Sequence, residues 1–206
     1  MKRRQIIISG LLLWLFAVVG TSLVAVTENS TRETIIENER LVLLRNLHAL
    51  LPAEQFDNDI ANDTRHLPAA PLLGTEERSI VYRARRQGQP VAAIFNSIAP
   101  DGYSGRIHLL VGVYIDGSVA GVRVVKHAET PGLGDAIEVK KSPWITLFDG
   151  RSLLNPQLPG WGVKRDGGAY DQFTGATITP RAVVAAVKNT LLYYQHNADT
   201  LFKPDT

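Results

Sequence analysis

The sequence predicts an α+β protein: a single N-terminal transmembrane helix, then one domain built on an antiparallel sheet with flanking helices. Three observations carry the prediction. An uncharged run from Gln5 to Thr27 follows the cationic residues Lys2, Arg3 and Arg4. Between residues 79 and 126, segments rich in Val, Ile and Tyr succeed one another with only turn residues between them, which is the pattern of antiparallel neighbours. After Thr179-Pro180, Val183, Val184, Val187, Leu191 and Tyr194 recur at helical spacing, so the chain ends in an amphipathic helix.

The composition fits that plan and excludes several chemistries. The chain has 206 residues, 45% hydrophobic and 20% charged, enough for one domain with a real core and a smaller appendage. A formal charge of +2, without a basic stripe interleaved with aromatics, speaks against nucleic-acid binding. With no cysteine there is no disulfide, thiolate zinc site, iron–sulfur ligation or cysteine nucleophile.

Residues 1–5 are expected on the cytoplasmic side and residues 6–26 across the membrane. The apolar run Ile6–Val26 is about 31 Å long as a helix, against a hydrocarbon core of roughly 30 Å. A cleaved signal peptide would have a shorter apolar region and a better cleavage site than Leu23-Val24-Ala25. The anchor is therefore read as retained and single-pass in the lipid bilayer. Lys2–Arg4 stay inside by the positive-inside rule, so all that follows lies on the periplasmic side of a bacterial inner membrane.

Residues 27–74 are expected to form a stalk helix and a connecting loop. Over 28–50, Ile35, Ile36, Leu41, Val42, Leu44 and Leu47 make an apolar stripe packed on the domain, and Pro52 stops the helix. From Phe56 to Gly74 the Asn, Asp, Pro and Ala content predicts a loop-rich connection. The extracytoplasmic domain then spans 75–206. Its strands are predicted at Ser79–Arg85, Val91–Ile98, Arg106–Ile115 and Val119–Lys126, with Ile107, Leu109, Val111, Val113 and Ile115 on one face. Asp116-Gly117 predicts a type I′ hairpin. Short helical pieces follow at Asp135–Val139 and Pro143–Phe148, then a strand at Trp161–Lys164 with a turn over Arg165–Gly168. The final helix is expected to start at Pro180, capped by Thr179, and to end before Asn197.

Two stretches are candidates for chemistry. His127-Ala-Glu-Thr-Pro-Gly-Leu-Gly134 follows a strand directly, and its glycines let backbone approach a ligand. It lacks the third glycine and βαβ context of a dinucleotide fingerprint, and His127-x-Glu129 lacks the cysteines of a zinc deaminase. Asp101–Gly105 is not a nucleophile elbow, no Walker A sequence occurs, and the five histidines show no metal-ligand spacing. No catalytic residue and no metal site are expected. The second stretch is Asp171-Gln-Phe-Thr-Gly-Ala-Thr177-Ile-Thr-Pro180. Thr177 sits just outside a helix N-terminus, where free N–H groups and the helix dipole favour a phosphate. Read from the residues alone, the first stretch is an ordinary turn and the second a helix cap.

Asp171–Thr177 resembles, position for position, the Asp-x-x-Ser/Thr-Gly-Ala-Thr motif of proteins carrying covalent FMN. That FMN-binding family includes the C subunit of the sodium-translocating NADH:quinone reductase and the G subunit of the Rnf-type electron transport complex. Glu129-Thr-Pro-Gly-Leu-Gly134 matches its second segment, and Asp101–Gly105, Lys164–Gly168 and the chain length resemble the Rnf G subunit. The resemblance covers nearly the whole chain and is least clear over 56–74. It implies an electron-transfer subunit of a membrane-bound, ion-translocating redox complex rather than a free-standing enzyme. FMN would be joined through its phosphate to Thr177. Glu129, Thr130, Gly132, Leu133, Gly134, Lys164, Thr174, Gly175 and Ala176 would complete the cofactor site. A separate flavin transferase, with FAD as donor, would recognise Asp171, Thr174, Gly175, Ala176 and Thr177. The implied partners are that transferase, the other membrane subunits and the bilayer. The competing expectation is a membrane-anchored binding or assembly module in which Thr177 is unmodified and merely caps the helix.

Overall fold

The computed structural model describes residues 2–203. Met1 and residues 204–206, the outer ends of the expected 1–5 segment and of the 75–206 domain, lie outside the described residues, as does the side chain of Lys2. The chain divides into two compact units, one up to Leu44 and one from Arg45 onward.

Helix α1 spans Lys2–Leu50 without a break. Its apolar run is exposed along its length, with Phe16 at 74% and Leu13 at 73%, and the helix is long and apolar enough to cross a membrane. The polar residues after the run do not interrupt it. Thr27, Ser30 and Thr31 donate their hydroxyls to the carbonyls of Leu23, Val26 and Thr27, so each satisfies itself inside the helix. The expected stalk stripe is largely unburied: Ile35, Ile36, Leu41 and Val42 are exposed, Leu44 is half-buried, and Leu47 is buried, as is Leu50 in the same last turn.

The second unit is a five-stranded antiparallel meander in the order β1-β2-β3-β4-β5. The strands are β1 Thr64–Leu67, β2 Ser79–Arg86, β3 Gln89–Gly102, β4 Gly105–Tyr114 and β5 Val119–Lys126. The four strands predicted from residues 79 to 126 are all present. Strand β1 is the correction, since 56–74 reads as loop: four residues, TRHL, with only Leu67 buried, give no β signal. Helix α2, Ile178–Leu201, packs on one sheet face through Val183, Val187, Leu191 and Tyr194, against Val81, Phe95, Val111 and Val113. The opposite face is covered in part by the end of α1. Leu50 lies so close to Gly121 that a Cβ there would meet Leu50 Cδ2 at 3.2 Å. Cover on both faces explains why successive residues Ile94 and Phe95 are both fully buried.

Three local expectations differ. The β4–β5 connection is not type I′: Asp116 has ordinary φ and only Gly117 is left-handed, at +84°. The Gly117 N–H donates to Tyr114 and the Tyr114 N–H to Ser118, a type I turn closed by a glycine bulge. The Asp116 carboxylate takes both the N–H and hydroxyl of Ser118, which holds its pKa below the ordinary value. Ile115 falls in this turn, 58% exposed, off the buried face of Ile107–Val113. Trp161–Lys164 is no strand but a bridge, Val163 to Tyr170, between two 3-10 turns. The short helices at Gly134–Ile137 and Pro143–Phe148 stand close to where they are expected, as 3-10 turns.

Candidate functional site

Two loops and the start of α2 meet at one end of the sheet. The first loop leaves β5 at Lys126. Glu129 in it is 4% exposed, and its carboxylate accepts the N–H of Ser104 at 2.9 Å and the hydroxyl of Thr179. One buried carboxylate thus ties the β3–β4 hairpin tip, the β5 loop and α2 together, and both bonds are charge-assisted. The Glu129 N–H donates to His127 Nδ1 at 3.0 Å, leaving Nε2 to face Glu138 at 3.0 Å. The Thr130 carbonyl accepts the N–H groups of Leu133 (3.2 Å) and Gly134 (3.1 Å), and Gly132 turns the chain at φ +77°. Gly134 has no room for a side chain: a Cβ would sit 2.9 Å from both Glu129 Oε2 and Thr179 Oγ1.

The second loop carries the threonine motif. Its turn is closed by the Ala176 N–H on the Phe173 carbonyl at 3.1 Å, with Gly175 at φ +80°. Aromatic packing fixes it from behind. Phe173 meets Trp144 edge-on at 5.1 Å, and the Trp144 indole donates to the Asp171 carbonyl at 2.7 Å.

Helix α2 begins two residues before the expected start, at Ile178, with Thr177 in the cap position. Thr179 cannot be the cap, because its hydroxyl is engaged by Glu129. Pro180 remains in the first turn, where its missing N–H costs nothing. The Thr177 side chain makes no capping hydrogen bond. The first-turn N–H groups of Ile178 and Thr179, which follow it, have no intrahelical acceptor. Helix α2 also runs past Asn197 to Leu201.

These segments enclose a cleft of about 260 Å³. Of the residues singled out in the sequence, Glu129, Thr130, Leu133, Gly134, Gly175, Ala176 and Thr177 line it. Gly132, Lys164, Asp171 and Thr174 do not line it. Lys164 pairs instead with Asp171 at 2.7 Å, both exposed. Arg181, one turn into α2, is forked onto Asp166 at 2.6 and 2.9 Å, and its hydrogen bonds hold the Asp166 carboxyl below its ordinary pKa. Tyr103, Ile178 and Thr179 line the cleft as well and were missed. Tyr103 was within reach of the sequence, at the centre of the conspicuous Asp101–Gly105 loop.

The lining fits a flat heteroaromatic ring with a phosphate tail. Tyr103, Leu133 and Ile178 expose 67%, 44% and 44% of their surface around the cleft, apolar area that a planar ring would cover. Glu129 and Thr130 give one polar side, and the unengaged hydroxyl lies at a helix N-terminus, the natural place for a phosphate.

Comparison with known proteins agrees with this geometry. Residues 102–192 match the model of the FMN-binding domain, and residues 1–50 match that of the RnfG N-terminal region. A Pseudomonas aeruginosa protein, named as the G subunit of the ion-translocating oxidoreductase complex, is 49% identical over 203 residues, 98% of this chain and 95% of that protein. Proteins of the same name from Pseudoalteromonas atlantica and Photorhabdus laumondii are 48% and 50% identical, covering 94% and 90% of this chain and 90% and 88% of theirs. Identity of this order along both units shows that the chain belongs to the family of G subunits of ion-translocating oxidoreductase complexes.

Proposed function

We propose that the chain is the electron-transfer subunit of a membrane-bound ion-translocating redox complex, and that it carries FMN esterified through its phosphate to Thr177. The observation that carries the linkage is the Thr177 hydroxyl: half-buried in the cleft, making no capping bond, on the residue that precedes the open N–H groups of α2. A phosphodiester there keeps one negative charge, which those N–H groups and the helix dipole stabilise. The cofactor supplies reversible electron storage, and this chain's residues set where and in what surroundings it does so. Leu133 and Ile178 exclude water from the ring, and Tyr103 offers it an aromatic face. Glu129 and Thr130 present hydrogen-bonding groups at the polar side, held in place by Ser104 and Thr179. Gly132 and Gly134 let the loop backbone approach.

Asp171 and Thr174 are exposed and lie off the cleft. That position suits recognition by a flavin transferase, which would read them with Gly175, Ala176 and Thr177 and use FAD as donor. Lys164 contributes by holding Asp171. The apolar run of α1 anchors the chain in the bilayer of the inner membrane, with the basic N-terminus cytoplasmic and the domain periplasmic. The other subunits of the complex are its electron partners.

Intact mass and in-gel flavin fluorescence on denatured wild type and Thr177→Ala, each expressed with the transferase, test the assignment. An FMN-phosphate adduct in the wild type alone is the expected result. An adduct in both moves the linkage to Thr174 or Thr179. No adduct in either leaves Thr177 as a helix terminus in a binding or assembly module.

A further inference from the structure

A second cleft, of about 510 Å³, lies apart from the cofactor cleft and shares none of its lining residues. It lies on the sheet face opposite α2, at the end nearer the cofactor cleft. Cross-strand register sets Ile98, His108 and Lys126 side by side on β3, β4 and β5. The two-residue period of a strand adds Arg106 to that face, and Arg78 enters from the start of β2. Ile80, Ile98 and Val125 supply an apolar floor. The last turn of α1 covers this face further along, at Gly121, and does not line this part.

The charge of this half is lopsided. Arg78 and Lys126 are exposed and have no carboxylate partner among the described residues. Arg106 pairs with the exposed Glu76 at 2.6 Å, and Glu77 also borders the cleft. Burial lowers the pKa of His108, and the positive charges of Lys126 and Arg106 lower it further. Around the cleft the cations Arg78, Arg106 and Lys126 face the carboxylates Glu76 and Glu77, an excess of one positive charge.

The strands that bear this face lead into the cofactor cleft. Arg106, the second residue of β4, follows the hairpin tip that carries Tyr103, and Lys126 ends β5 three residues before Glu129. Three residues of chain span at most about 10 Å, so this end of the face lies close to the cleft lining. We propose that this basic sheet face docks an acidic surface of the protein that exchanges electrons with the cofactor. The proposal rests on the electron-carrier reading above. Electron exchange needs brief, oriented approach of two centres, and complementary charge is the means of speeding and orienting such encounters.

The test uses the full-length, flavin-loaded chain in nanodiscs of neutral lipid and, in a second set, in nanodiscs that contain anionic phospholipid. Its partner is the rest of the complex, purified from a strain lacking this subunit. The variants are Arg106→Glu with Lys126→Glu, and the charge-conserving Arg106→Lys with Lys126→Arg. In-gel fluorescence reads cofactor loading, and stopped-flow absorbance reads reoxidation of the pre-reduced flavin as salt is raised. The expected result has equal flavin loading in all three proteins. The wild-type and charge-conserving rates fall with salt, and the charge-reversed rate is at least about tenfold lower at low salt and nearly flat. A charge-reversed variant that reacts at the wild-type rate with the same salt slope overturns the proposal. So does a defect that appears only when the nanodiscs contain anionic phospholipid, which would make the face a lipid contact. Absence of flavin from every protein is a different failure: it removes the carrier reading and the docking proposal with it.

Discussion

Tyr170 stands behind the threonine motif, 3% exposed, stacked on Phe148 at 4.7 Å and tilted against Trp161 at 5.4 Å. Its hydroxyl is buried with no hydrogen-bond partner among the described residues, and burial pushes its pKa well above the ordinary tyrosine value. The folded state therefore holds this proton more tightly than the unfolded chain does. The corresponding stability is fully present below about pH 10 and is lost as pH rises above that value. Tyr170→Phe removes both the unbonded hydroxyl and the titration. It is expected to stabilise by about 1 kcal/mol at pH 7, a Tm gain of roughly 2–4 °C, with a larger gain near pH 10.5. Calorimetric melts at the two pH values check this, and a lower Tm at pH 7 would show that the hydroxyl is satisfied after all. At this scale the sequence was legible where the chemistry is local. Thr177 beside a helix start, Gly175 in its turn and the glycines of the β5 loop all read from neighbours. The Glu129–Thr179 bond was not, because the partners are 50 residues apart and only the fold makes them adjacent. Without that bond in view, Thr179-Pro180 reads as the helix boundary, two residues late.

Among the elements, β1 shows why a short polar edge strand escapes a search for β-branched alternation. A charge cluster at its start supports the backbone pairing with β2 and the one buried side chain, Leu67. Asp63, just before the strand, takes Arg83 at 2.6 Å and Arg85 at 2.9 Å from β2, and its backbone carbonyl accepts the Arg83 N–H at 2.8 Å. Asn58 completes the cluster by donating to Asp63 at 3.0 Å and to the Arg83 carbonyl at 2.9 Å. The two arginines also donate to the carbonyls of Lys203 and Phe202 after α2, so one carboxylate organises a sheet edge and a helix end. All three ionic side chains are at most 21% exposed, so removing the anion leaves two poorly solvated cations side by side. Asp63→Ala is expected to cost about 2–4 kcal/mol, with Asp63→Asn losing less because the amide oxygen still accepts. Urea denaturation of the three proteins measures the difference. Equal midpoints would mean that β1 is held by backbone pairing alone. The 3-10 turns and the missing strand at Trp161–Lys164 follow the same lesson. Their geometry is set by Trp144, Phe148, Trp161 and Tyr170 packing on one another, contacts that no periodicity announces.

For the whole molecule, the consequential boundary lies inside α1 rather than at its end. The helix is continuous to Leu50, yet the compact unit that bears the cleft begins at Arg45. Its first residues belong to the core: Leu47, Leu50 and Leu51 are 0%, 2% and 0% exposed. The apolar stripe read over 28–50 put Leu47 together with Ile35, Ile36, Leu41 and Val42, which are exposed. Helical spacing alone cannot distinguish a stripe that meets a sheet from one that meets solvent, lipid or another chain. The distinction has a measurable consequence for where the chain can be cut. Burying each leucine contributes about 2 kcal/mol, so losing all three would remove much of a typical stability of about 5–15 kcal/mol. A chain shortened to begin at Arg45 keeps them and is expected to fold as a soluble protein, with a Tm within a few degrees of the detergent-solubilised full chain. One beginning at Pro52 uncovers Gly121 and the apolar residues around it and is expected to melt at least about 10 °C lower, or to aggregate. Circular dichroism melts and size-exclusion profiles of the two shortened chains decide the point. Equal stability would mean that the leucines at the foot of α1 only rest on the sheet, and that the core proper is the side sealed by α2.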